Sequence, residues 1–95
     1  MPHNALMHDA GDDVAVVVVD LKAGEVASAV TLEGQPAGTV KAVEDIPLGH
    51  KIAMRPMAAG KDVIKYGRSV GKVYRDIRAG QHVHTQNIRS ERWQH

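Results

Sequence analysis

One short pattern recurs four times in this 95-residue chain: an apolar residue, two further residues, a glycine, and then a strand-like run. The copies are Leu21-Lys22-Ala23-Gly24, Ile46-Pro47-Leu48-Gly49, Met57-Ala58-Ala59-Gly60 and Ile77-Arg78-Ala79-Gly80. Each reads as a tight turn whose glycine takes a backbone conformation that a Cβ disfavours. The apolar residue three positions earlier pins the turn to a core. The copies start 25, 11 and 20 residues apart, so no solenoid of fixed period results. The pattern describes a folded β-domain of strand–turn–strand units. Met57 and Ile77 head turns of the same type, which makes a pseudo-symmetric arrangement plausible.

Strand signals fill the intervals. The β-branched run at 14–20 is the strongest, and 26–32, 39–43, 51–54, 63–66, 69–75 and 82–88 come after it. Gly34-Gln35-Pro36-Ala37-Gly38 reads as a loop or hairpin tip. No window keeps helical periodicity for long, and Pro56 interrupts the one candidate turn near 53–59. The expectation is a mainly β fold of short strands and Gly-centred turns, with little helix. Residues 1–95 make one domain, with 1–6 and 88–95 as tails. The chain has no Phe and a single Trp, so its core must be aliphatic. Trp93 is expected to pack back on the domain or dock on a partner.

Absences narrow the chemistry. Without cysteine, disulfides and thiolate metal sites are excluded. No Gly-rich phosphate loop or Gly-x-Ser-x-Gly elbow occurs. The longest apolar run, 14–19, is too short to span a bilayer, and 1–13 has no apolar signal segment. A cytoplasmic protein with no membrane partner is expected. Net charge is −6 over residues 1–50 and +7 over 51–95. That asymmetry suits either a small anionic ligand or two mutually attracting halves of one domain. Nucleic acid is not expected, because the basic residues are scattered and few aromatics lie between them.

Polar, proton-handling side chains cluster late in the chain. His50 and Lys51 follow the turn glycine Gly49, while Lys65 and Tyr66 precede Gly67. In His82-Val83-His84-Thr85-Gln86-Asn87, strand alternation puts His82, His84 and Gln86 on one face. Two imidazoles so placed can share a divalent metal, or one can act as an acid–base group. An inert exposed pair is the competing reading. Lys65 can bind a carboxylate and Tyr66 can donate a hydrogen bond. Asn87 can bond a ligand or cap a turn.

These residues resemble the SAF, or β-clip, domain of the altronate and galactarate dehydratase family. The likeness runs from Asp12-Asp13-Val14 and Asp20-Leu21-Lys22-Ala23-Gly24 through Ile46-Pro47-Leu48-Gly49-His50-Lys51. It ends in Ile64-Lys65-Tyr66-Gly67 and Val83-His84-Thr85. The resemblance implies an SAF-like β-clip. It also implies a small, non-autonomous subunit working with a separate large catalytic subunit. The reaction implied is elimination of water, or in some relatives sulfite, from a small anionic hydroxy acid. A divalent metal such as iron(II), held mainly by the partner, is implied too. On this resemblance His50 and His84 are the catalytic candidates. Lys51, Lys65, Tyr66 and Asn87 are candidates for substrate binding, and His82 and His84 for a metal. Where the family commonly has a second histidine after Thr85, this chain has Gln86, which is a poor metal ligand. A stand-alone SAF module that binds a sugar acid or a protein without catalysis is the alternative.

Overall fold

The computed structural model describes residues 3–65, 68–83 and 88–89. Its strands are β1 (Ala5–Met7), β2 (Val14–Val17), β3 (Val26–Thr31), β4 (Pro36–Lys41), β5 (Lys51–Ala53), β6 (Asp62–Lys65), β7 (Arg68–Val73), β8 (His82–Val83) and β9 (Ile88–Arg89). Among the described residues there is no helix, so the mainly β expectation holds. Among the described residues no helix is long and apolar enough to cross a membrane.

Two sheets form. The larger has the order β4-β3-β1-β2-β5-β8 and the smaller β6-β7-β9. All neighbours are antiparallel except β1 and β3, which run parallel with Ala5 opposite Ala29. β1 therefore sits inside the large sheet, with Ala5 and Met7 buried. Ala5 and Leu6, within the stretch expected as a tail, thus lie in a strand. Three residues are too few to register as a pattern, and their burial comes from β2 and β3 on either side. The segment 34–38, read as a loop or hairpin tip, lies at the β3–β4 hairpin: Gly34 and Gln35 are in the connection, and Pro36–Gly38 already belong to β4. Proline is tolerated there because β4 is an edge strand, and a register shift between Ala29 and Val30 marks the irregularity. Ile88–Arg89 pair with β7, so the second expected tail begins in a strand.

The four turns organise the packing. Gly24, Gly49, Gly60 and Gly80 have φ of 93°, 84°, 92° and 89°, the left-handed region open to glycine. The turns dock in pairs. Leu21 and Ile46 exchange both backbone hydrogen bonds (2.9 and 2.7 Å), and Met57 and Ile77 do the same (2.9 and 2.8 Å). Each glycine N–H then donates to the carbonyl four positions ahead of the partner turn's apolar residue. The acceptors are Ala42 for Gly24, Val17 for Gly49, Val73 for Gly60 and Ala53 for Gly80.

Each turn pair has its own aliphatic core. Leu21 and Ile46 lie with Ala5, Met7, Val17 and Ile52. Met57 and Ile77 lie with Val14, Ala53, Val63, Val73 and Val83. Burying one such Ile, Leu or Met contributes about 1.5–3 kcal/mol. β2 and β5 join the cores through neighbouring residues on opposite strand faces, Val14 against Ala15 and Ala53 against Ile52. An ionic joint adds to this. The buried carboxylate of Asp13 accepts from Lys61 Nζ (2.6 Å) and from the Ile64 N–H (2.9 Å), with Arg55 at 3.6 Å. Here acidic and basic halves meet within one domain.

Candidate active site

The residue directly after each turn glycine shows how one turn is set apart. These residues are Glu25, His50, Lys61 and Gln81. Glu25 Oε1 folds back to accept the Lys22 N–H (2.7 Å), and Gln81 Oε1 accepts the Arg78 N–H (2.9 Å). Both side chains satisfy the second position of their own turn. In the Ile46 turn that position is Pro47, which has no N–H to offer. The local acceptor role of Glu25 and Gln81 does not arise there, and the His50 ring reaches across the sheet instead.

There it meets His82. His50 Nδ1 lies 3.0 Å from His82 Nε2, with ring centroids 5.0 Å apart and planes tilted by 48°. The register that puts Lys51 opposite Val83 and Ile52 opposite His82 makes these two histidines diagonal neighbours across β5 and β8. Both are half-buried. At this distance one ring donates an N–H to the bare nitrogen of the other. When His50 Nε2 takes up a proton, the shared proton passes from His50 Nδ1 to His82 Nε2 and His82 Nδ1 releases its own, so both rings end neutral with the outer lone pair moved from His50 to His82. The arrangement can therefore accept a proton at one end and deliver one at the other.

Glu44, which sequence reasoning missed, anchors the backbone that carries His82. Its Oε2 accepts the backbone N–H of His82 at 3.0 Å. That N–H belongs to an edge strand, with no further strand beyond β8 among the described residues. A carboxylate is thus held against the backbone of His82 by a residue 38 positions away. No local motif marks such a contact.

The remaining candidates divide. Lys51, half-buried, opens β5 opposite Val83, so strand alternation puts its side chain on the other face of the sheet from His82. Lys65 closes β6, in the other sheet, so its backbone is not grouped with the histidines. Tyr66, His84 and Asn87 lie outside the described residues, as do Gln86 and Trp93. The expected His82–His84 metal pair thus stands beyond the described geometry, which couples His82 to His50. Among the described residues no three His, Asp or Glu side chains converge as a metal site would require. An open groove of about 660 Å³, lined partly by His3, Val19, Asp20 and Val26, contains none of these candidates.

The chain as a whole matches known proteins. The model of the altronate/galactarate dehydratase SAF domain matches residues 3–91. The (2R)-sulfolactate sulfo-lyase subunit alpha of Chromohalobacter salexigens is 38% identical over 89 residues, spanning 93% of this chain and 95% of that subunit. The subunit of the same name from Paracoccus pantotrophus is 49% identical over 49 residues, 52% of this chain and 73% of its own length. Altronate dehydratase of Escherichia coli is 42% identical over 79 residues, which are 83% of this chain but 15% of that enzyme.

Proposed function

This chain belongs to the altronate/galactarate dehydratase SAF-domain family, and on that premise we propose that it is the small subunit of a cytoplasmic lyase. It would act with a separate, larger catalytic subunit on a small anionic hydroxy acid. The observation that carries the reading is the match along nearly the whole of a relative that is itself named a lyase subunit. The imidazole pair gives the reading a chemical part to play.

Elimination from a 2-hydroxy acid breaks the C–H bond beside the carboxylate. Its electrons form a carbon–carbon double bond, and water or sulfite leaves the next carbon. A base must take the proton, and a leaving hydroxide needs one returned. Two hydrogen-bonded imidazoles suit both tasks, because a proton accepted at His50 Nε2 releases another at His82 Nδ1. Glu44 steadies the edge strand that carries His82.

A divalent metal such as iron(II) would supply Lewis-acid stabilisation of the developing enediolate. His50 and His82 offer at most two donors, fewer than the three or more protein ligands of a typical catalytic transition-metal site. On this reading the partner provides the greater part of any metal's shell.

The test is an elimination assay with sulfolactate and with altronate, run on this chain alone and on its complex with a larger subunit from its own cells. Activity in the complex and none in the free chain is the expected result. Calorimetric binding of a sugar acid to the free chain, with no such complex forming, would favour a stand-alone binding module.

A further inference from the structure

The segments that carry the imidazole pair are flanked, in sequence or through backbone hydrogen bonds, by exposed aliphatic residues. Leu48, 59% exposed, stands two residues before His50. Val43, 45% exposed, immediately precedes Glu44, and its N–H donates to the Gly80 carbonyl just ahead of Gln81 and His82. Val18, 38% exposed, follows Val17, whose carbonyl accepts the Gly49 N–H and whose N–H donates to the His50 carbonyl. Three backbone segments that position the site therefore each turn an aliphatic residue outward. Val19, Val26 and Leu32 are exposed as well, the last at the turn between β3 and β4 and the first two along an open groove.

A proton-handling pair works best shielded from water, and this one is only half-buried. Exposed aliphatics on the segments that carry such a group are what an interface core requires. The occupant is indicated by proportion. In altronate dehydratase the matching stretch is 15% of the chain, leaving the rest of that enzyme to surround it. The sulfolactate relatives are named as subunits and so have a companion chain. An interface of standard size takes about 800 Å² from each partner, a modest share of the 5612 Å² surface of this chain.

We infer that the face bearing Val18, Val43 and Leu48 is where the larger lyase subunit docks, closing an apolar wall over His50 and His82. This rests on the subunit reading and adds the location. The active site is then composite. This chain gives the imidazoles, and the partner gives the lid and the rest of the substrate contacts.

Hydrogen exchange on the complex purified with its larger subunit, compared with the free chain, tests the location. Amides of 43–50, of Val18 and of 81–83 should slow by about tenfold or more on assembly. Leu48→Asp should weaken association by at least about tenfold while leaving the Tm of the free chain within about 2 °C, since Leu48 lies outside both cores. Protection confined to the Val19–Val26 groove, or to β3 and β4, would overturn the location and leave the subunit reading standing. A self-associated dimer of this chain covering the same face would overturn the choice of occupant. Failure of any larger subunit to co-purify would remove the subunit reading itself, and this inference with it.

Discussion

The two turn pairs are built on one plan and differ in the residues that flank their turns. In the first pair, Asp20 Oδ1 accepts the Leu48 N–H and Asp45 Oδ1 accepts the Ala23 N–H, both at 2.9 Å. Each aspartate precedes its own turn and caps the partner turn, so the exchange is reciprocal. In the second pair, Asp76 Oδ1 accepts the Ala59 N–H at 2.9 Å. The corresponding residue on the other side is Pro56, whose side chain can accept nothing. The comparison gives these carboxylates a structural role, which removes Asp20, Asp45 and Asp76 from the search for acid–base groups. It also separates the turns by the residue after each glycine. Only the turn with Pro47 releases a side chain, His50, to the site.

Several substitutions can break or sharpen that comparison. The largest effect is expected at Gly80. A Cβ there would lie 2.0 Å from the Lys41 carbonyl oxygen, against backbone that cannot swing aside. Gly24 has the same φ sign and nothing within 4 Å. Gly80→Ala should cost more than about 4 kcal/mol and Gly24→Ala only about 1–2 kcal/mol, as read from urea unfolding. Equal costs would mean that the turns are not packed as described.

Next come the apolar heads of the turns. Ile46→Ala and Met57→Ala remove fully buried side chains, one from each core. Each should lose about 2–5 kcal/mol. Loss of stability in one alone would show that the second core is not a working equivalent of the first.

A smaller change tests the carboxylate caps. Asp45→Ala leaves the Ala23 N–H to solvent and should cost about 0.5–1.5 kcal/mol, with Asp76→Ala similar. No change in either would reduce the reciprocal caps to incidental contacts.

The smallest effect concerns pH. The hydrogen bond from Lys72 Nζ at 2.8 Å holds the Asp62 carboxyl below its ordinary value of 3.8. A group whose pKa is depressed by folding stabilises the fold above its unfolded pKa. That contribution is lost as pH falls below about 3.8 through the folded value. Asp62→Asn should flatten only this acid end of a stability-versus-pH curve. The change will be slight because the pair is exposed.

Much of the fold was legible in the sequence because its periodic features are local. The apolar-x-x-Gly pattern marked all four turns, and the β-branched runs marked most strands. β1 was not legible, since three residues acquire strand character only from their neighbours in the sheet. Pro36 hid the start of β4, because an edge strand accepts what an inner strand would reject. At the site, His50 and His82 were both legible as residue types, but their partnership was not. Strand alternation pointed from His82 towards His84, whereas the contact that forms runs diagonally to β5. Glu44 left no trace, because its acceptor role depends on an edge N–H that only the assembled sheet defines. The position of Asp before three of the four turns was available in the sequence and could have indicated the caps.

The central claim is that the His50–His82 pair transfers protons in an elimination carried out with a larger subunit. Its most direct test is kcat of the purified two-subunit complex carrying His50→Gln, assayed beside wild type at equal assembly and equal Tm. A fall of at least about 100-fold, with little change in KM, is the result this account predicts. A kcat within about twofold of wild type would contradict it and reduce the imidazole pair to a packing contact.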